Sequence, residues 1–459
     1  MRVVRRSVGA VSVVTCLLVV GVAFGPAASA TGTASAPGAP AGGSVGKPST
    51  PIEHVVTVMQ EGHTFDTYFG TYPGAAGPPA NVCMPVKVAA TPCVRPFPLE
   101  SRPLRDLDHG AAAQRTAYAD GAMNGFVRAQ SRNGVTDDQT MGTYDRSSLS
   151  YYWNVADSFV LFDHFFSSSP GGSLANHLSW VTGTAGGATG ESVPTEGYGA
   201  LPTIFDRLQS AGVSWKFYVQ NYDPTVTFRR APGAARGAQV TRVPLLAYAR
   251  YVDDPALFAH IVPVSQYFED LHAGKLPAVS YIVPSGPSER SPTSVRSGER
   301  FVQGLVGALA ASRSWSSSAF MLTYDGWGGY YDHMAPVTIG STTTGFRVPT
   351  LLVSAYARRG VVDHTQLDTT SILRFIEQNW NLPPLGAADA QATGLASAFA
   401  FDRAPRPAEV VSPGQPASRA EPARIGLVLA LYGLAFFAAL MVLVAIAWRA
   451  RRRAEVVLP

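Results

Sequence analysis

The sequence predicts an α/β domain with a central, largely parallel sheet, followed by one C-terminal transmembrane helix. Three observations carry this. Short apolar, β-branched runs alternate with helix-length segments through the middle of the chain. Two of those runs end on carboxylates, at Glu61 and Asp325, and open parallel sheets bind ligands beyond the carboxyl ends of their strands. Residues 425–448 carry no charge and are followed at once by Arg449, Arg451, Arg452 and Arg453.

The buried strands are expected at 54–59, 214–219, 278–283, 319–324 and 349–355, each a short apolar or β-branched run. Helices are expected at 203–211 and 266–273, stopped by Gly212 and Gly274, and at 299–312 and 369–380. In the last, Asp368 or Thr369 caps the start, and Ile372, Phe375, Ile376 and Trp380 share one face.

The two ends read as export and anchoring signals. Residues 1–30 form a signal peptide, with Arg2, Arg5 and Arg6, an apolar run and the cleavage pattern Ala28-Ser29-Ala30. Residues 31–50 are a flexible leader and 51–402 the folded domain. Residues 403–424, rich in Pro and Ala, form a stalk. The 425–448 helix, at about 1.5 Å per residue, reaches roughly 36 Å and spans a bilayer. The arginines of the 449–459 tail place that end in the cytoplasm. The expected location is the cell membrane, single-pass, with the domain outside. In an exported chain Cys83 and Cys93 are candidates for a local disulfide, the alternative being two free buried thiols. Charged residues are only 15 % of the chain and the net charge is +4, which gives no general nucleic-acid affinity.

Several stretches could carry chemistry. Four Asp-His dipeptides occur, Asp108-His109, Asp163-His164, Asp332-His333 and Asp363-His364, an excess over chance that suits metal or acid–base sites. Gly171-Gly172-Ser173 opens a helix-like stretch, where backbone N–H groups favour an anion beside the hydroxyl. Tyr324-Asp325 leads through a Gly-rich turn to Asp332-His333, a grouping that can hold a hard cation against a phosphate oxygen.

Together these stretches resemble the bacterial phosphoesterase family of phospholipases C and acid phosphatases, whose fold is similar to alkaline phosphatase. The resemblance runs in order through Met59-Gln60-Glu61-Gly62-His63-Thr64-Phe65-Asp66, Asp106-Leu107-Asp108-His109, Met123-Asn124-Gly125-Phe126, Pro170-Gly171-Gly172-Ser173 with Asn176, Tyr331-Asp332-His333 and Val362-Asp363-His364-Thr365. It implies an alkaline-phosphatase-like sandwich and a divalent metal held by Glu61, Ser173 and Asp325. Ser173 would be the metal-activated nucleophile. His109, His333 and His364 would hold phosphate oxygens or protonate the leaving alkoxide, and Asn176 would bind substrate. Arg290 could hold the phosphate by its fork of donors. The sequence departs from the family pattern at Gly62, where an asparagine ligand is usual, and at Gly326, where a second carboxylate is usual. It reads Glu289-Arg290-Ser291-Pro292 where the family often has Glu-His-Pro. The expected function is a membrane-anchored extracellular phosphoesterase acting on phosphate mono- or diesters, phospholipids or envelope polymers included. The alternative is a non-hydrolysing protein on the same fold that binds phosphorylated envelope components.

Overall fold

The computed structural model describes residues 46–414 except 88–91, 100–103, 132–136, 171, 189, 191, 231–233, 285–288 and 340–341, together with Met441. The chain divides into two compact units, Met1–Gly42 and Gly43–Pro459, and all the described residues belong to the second.

Eight strands build one central sheet: β1 His54–Gln60, β2 Val160–Phe162, β3 Trp215–Val219, β4 Ile261–Pro263, β5 Val279–Val283, β6 Ser318–Tyr324, β7 Thr350–Ser354 and β8 Val361–Asp363. Their order is β8-β2-β7-β6-β1-β5-β3-β4. Among the described strands of this sheet only β7 runs against the rest, pairing antiparallel with β6 and β2. All other neighbours are parallel. The expected largely parallel sheet is present, and its carboxyl ends form one rim. All five anticipated strands appear within a residue or so of their expected bounds. β2, β4 and β8 were not anticipated; at three residues each they are too short to show a period.

Register explains how the sheet is covered. Thr57, Tyr281 and Phe217 stand side by side on β1, β5 and β3, so they share a face. The helix Ser173–Thr182 lies over that row: the Trp180 indole donates to Thr57 Oγ1 at 3.3 Å, and its ring meets Tyr281 at 4.3 Å. Phe205 of the helix Ile204–Ser210 packs against Tyr281 and Phe217. Tyr218, one residue along, points the other way and donates to Asp270 of the helix Ser265–Ala273. Helices therefore cover both faces of a sheet whose central strands are buried along their length except at His54, the first residue of β1. A smaller apolar cluster of Phe126, Val127, Met141, Trp327, Tyr331 and Phe346 sits apart from the main core, beneath the turn that follows β6.

The helix Ser150–Ser158 runs back along the sheet. Near its start Tyr152 donates to Glu289, which also takes the hydroxyl of Tyr324 at the carboxyl end of β6. At its end the Ser158 carbonyl accepts from Arg406 on the opposite rim, beside the end of antiparallel β7. The chain then follows this helix: Trp315 donates to the Arg406 carbonyl, Asn154 to Ser412 and Ser150 to Pro413. Gly414 thus lies towards the carboxyl rim of the sheet.

Two sequence expectations need correction at their edges. The leader was expected to reach residue 50, but Gly46 and Ser49 donate to the carbonyls of Trp380 and Asn379, and Thr50 bonds the Asn379 side chain. The C-cap Asn381 sits in the left-handed conformation, and the end of the helix Thr369–Trp380 offers its free carbonyls to this segment. Likewise, residues 403–414 of the expected stalk are packed on the domain by the bonds just given. The signal peptide, the rest of the leader, residues 415–424, the tail and, apart from Met441, the 425–448 span lie outside the described residues. Among the described residues no helix is long and apolar enough to cross a membrane. Cys83 and Cys93 form a disulfide.

Candidate active site

β1 and β6 are neighbours in the middle of the sheet, so Glu61 and Asp325 emerge together on the carboxyl rim. The backbone ties them: Asp325 N–H donates to the Gln60 carbonyl, and Gly62 N–H donates to Asp325 Oδ1 at 2.8 Å. Gly62 has φ +57°, which turns the chain sharply away from the strand. Its partner is Gly328, at φ +58°, where an added Cβ would fall 1.8 Å from the Gly62 carbonyl oxygen. The two glycines let the turns after β1 and β6 lie back to back.

Ser173 is the first residue of its helix, capped by Gly172. Glu61, Ser173 and Asp325 line one cleft, with Asp106, His109, Arg290, Ser291 and Trp327. The three expected metal ligands thus share one cleft with two of the groups expected to meet the phosphate, His109 and Arg290.

Burial alone would raise the Asp325 carboxyl, but nearby His177, the Ser173 hydroxyl and the Gly62 N–H together hold it below the usual carboxylate range. His177 Nε2 stands 3.6 Å from Asp325 Oδ2, too long for a hydrogen bond. Among the described residues, Asp325 Oδ2 and both His177 nitrogens are buried without hydrogen-bond partners. Glu61 is held differently: Arg242 Nε donates to its Oε1 at 2.6 Å, and Nη2 meets the same oxygen. Arg290 spends its fork on Asp106, with Nε at 3.1 Å and Nη2 at 2.8 Å. His109 Nδ1 is bound to the Leu107 carbonyl at 2.8 Å, leaving Nε2 for the cleft. The Trp327 indole donates to the His109 carbonyl and fixes this wall.

The donor set fits a divalent cation. Two carboxylates and a hydroxyl are hard oxygen ligands, and the orphaned Asp325 Oδ2 is a buried anion oxygen that wants a partner. Gly326 leaves the space beside it open: a Cβ there would meet only Asn176 Nδ2, at 3.9 Å.

Other expected site residues lie elsewhere. Asn176 pins the loop before its helix, accepting from Ser169 N–H and donating to the Ser169 and Gly172 carbonyls. His333 does not line the cleft. Its Nδ1 and N–H both meet Asp66 Oδ2, and Asp66 shares the fully buried Arg347 with Asp332. Burial lifts the Asp332 carboxyl to about 6. His364 does not line it either; it bonds Asp163 on the β2–β8 side of the sheet. His63 stacks between Tyr68 and Tyr330, and burial pushes it down to about 3, so it stays neutral.

Sequence reasoning missed His177, Arg242 and Asp106. His177 had a signal, since it lies one helical turn after Ser173. Arg242 had none, being 181 residues from Glu61. Glu289, beside Arg290, was also passed over. It is buried, accepts hydroxyls from Tyr68, Tyr152 and Tyr324 at 2.5–2.6 Å, and is pushed by burial up to about 7.

A serine that opens a helix beside two carboxylates on the sheet rim suits attack on a phosphate ester, and the comparisons agree. The Phosphoesterase family model matches residues 52–383, so the chain belongs to that family. It is a phosphoric ester hydrolase. It is 28 % identical over 395 residues to phospholipase C A of Mycobacterium tuberculosis, covering 73 % of this chain and 74 % of that one. It is 28 % identical over 400 residues to non-hemolytic phospholipase C of Burkholderia pseudomallei, covering 72 % and 55 %. Non-specific phospholipase C1 of Arabidopsis thaliana is 26 % identical over 385 residues, covering 72 % and 67 %. Among solved structures, a protein of the alkaline phosphatase superfamily from Vibrio parahaemolyticus aligns over 77 % of this chain and 74 % of its own, at 11 % identity and a TM-score of 0.37.

Proposed function

We propose that this chain is a membrane-anchored, extracellular phosphoesterase that cleaves phosphate diesters of the phospholipid class through Ser173. One observation carries the reading: Ser173, Glu61 and Asp325 converge on a single rim cleft. The similarity to phospholipases C supports the substrate class, and the end segments of the sequence support the location.

Glu61, Asp325 and Ser173 would hold the divalent cation, which would lower the serine pKa and offset phosphate charge. The chain's own groups do the rest. The helix N-terminus at Ser173 directs backbone N–H groups at the phosphoryl oxygens. Ser173 Oγ, as the alkoxide that such a cation would favour, attacks phosphorus, the P–Oγ bond forms and the ester P–O bond breaks; cleavage of the phosphoserine returns the same alkoxide. Protonated His109 Nε2 gives its proton to the departing alkoxide. It takes a proton back from the water that then cleaves the phosphoserine. Arg290, within reach of the cleft, exchanges Asp106 for a non-bridging phosphate oxygen.

The Arg242–Glu61 and Arg290–Asp106 pairs favour one alternative, a site whose cations bind a phosphate without turning it over. Hydrolysis of a chromogenic phosphodiester and of phosphatidylcholine vesicles by the full chain, with added divalent metal, separates the two. Ser173→Ala should lower turnover by about a thousandfold or more and abolish a trapped phosphoserine. Undiminished hydrolysis in that variant would remove Ser173 from the mechanism. Phosphate binding with no turnover by the unaltered chain would leave the binding reading.

A further inference from the structure

We propose a second metal site on the reactive rim, formed by Asp163, His164 and His364 and suited to a zinc-class cation. It is separate from the cleft and independent of the phosphoesterase mechanism.

The sheet builds it. β2 and β8 are parallel neighbours, with Phe162 opposite Asp363, and the Asp163 N–H continues the ladder to the Asp363 carbonyl. Each strand ends on an Asp-His dipeptide. Register therefore brings two of the four dipeptides in the sequence to one spot. Asp163 is fully buried, while His164 is largely covered and His364 is 60 % exposed. One potential ligand atom from each residue lies within 4.8 Å of the others.

The orientation favours convergence. Asp163 Oδ2 takes the Ala76 N–H at 2.8 Å, which fixes the carboxylate. Both imidazoles face this carboxylate by the same nitrogen: His164 Nδ1 stands 2.6 Å from Oδ1, and His364 Nδ1 straddles the two oxygens at 2.9 Å from Oδ1 and 2.8 Å from Oδ2. The rings stand at 90° with centroids 5.9 Å apart, so their nitrogens meet without the rings stacking. Ligand atoms on a tetrahedral ion at about 2.1 Å stand about 3.4 Å apart, and the present spacings need only a small opening to reach that. The exposed His364 can supply the movement, and the solvent side leaves a place for water. Two imidazoles with one carboxylate select zinc, copper or nickel over magnesium or calcium.

The other Asp-His cluster makes a useful contrast. Asp66, Asp332 and His333 also lie close together, but Arg347 sits among them and donates to both carboxylates. That cluster already contains its cation. Arg347 reaches Asp163 only at the backbone carbonyl, and among the described residues no lysine or arginine donates to the Asp163 carboxylate.

The test is equilibrium dialysis of the full chain against Zn2+, with metal counted per chain, and the EPR spectrum of the Cu2+-loaded form. The expected result is one ion whose Cu2+ spectrum shows two imidazole nitrogens. Asp325→Asn should keep that ion, since it alters only the cleft. His164→Ala and His164→Gln should weaken it at least tenfold without changing phosphodiester turnover. An unaltered chain with no nitrogen-ligated ion would overturn the proposal. So would a His164→Gln, His364→Gln double variant that holds the same ion with the same spectrum.

Discussion

Arg242 neutralises Glu61 from a helix far away in sequence, while Asp325 Oδ2 is left bare. The cleft is thus half supplied with counter-charge, and the two glycines beside it differ in what they permit. Gly326 has room for a side chain. Gly326→Asp should add an oxygen ligand and tighten divalent-metal binding about tenfold, because affinity follows ligand charge and number; calorimetric titration reads this, and unchanged affinity would place the cation elsewhere. Gly328 has no room. Gly328→Ala forces a positive-φ clash with the Gly62 carbonyl and should cost about 3 kcal/mol or more, seen in denaturant unfolding. Glu289 makes a prediction in pH. Its carboxyl, raised by burial to about 7 from an ordinary 4.5, holds a proton in the folded chain that the unfolded chain has lost. Stability therefore falls as pH rises from 4.5 to 7. Glu289→Gln should flatten part of that slope in thermal melts taken across the range; an unaltered slope would mean Glu289 stays ionised. Single residues were legible where chemistry and neighbours in sequence coincide, as at Ser173 beside Gly172. They were not legible where partners meet only through the fold: nothing in the text of the sequence separates Asp332-His333 from Asp108-His109, yet one closes on Arg347 and the other borders the cleft.

The helix Ser173–Thr182 does two jobs through one axis. Its first residue enters the cleft, and Trp180, two turns on, seats it over β1 and β5. Trp180→Ala should cost about 3–5 kcal/mol. It should also impair turnover beyond the loss of folded protein, because the nucleophile rides on the same rigid element; a drop in stability with kcat intact would uncouple the two. The helix Val295–Ala310 shows a similar dependence. An added Cβ at Gly298 would fall 2.2 Å from Glu289 Cγ, so that glycine lets the helix close over the tyrosine-bound carboxyl. The long central strands were legible because five- to seven-residue apolar runs between turns leave little choice. The antiparallel direction of β7 was not, since direction lies in the connections rather than in the residues of the strand.

For the whole molecule, seven strands share a direction, so the cleft and the Asp163 cluster both open on one rim. The Cys83–Cys93 disulfide closes a loop in the first part of the chain and suits an oxidising compartment. Replacing both cysteines by serine should cost about 2–4 kcal/mol, as measured by urea unfolding.

The path of residues 406–414 along the helix Ser150–Ser158 acts as the first length of a leash. It delivers the described chain to the reactive rim, at Gly414. From there to Ile425, where the proposed span begins, the chain can extend by roughly 40 Å at most. On the proposed anchoring, a catalyst tied at that side would work in two dimensions, with its mouth turned to the bilayer and a working radius set by a few residues. Inserting a long Gly-Ser stretch after Gly414 should leave hydrolysis of a soluble ester unchanged. It should dilute the effective concentration of vesicle lipid at the cleft and slow its cleavage several-fold.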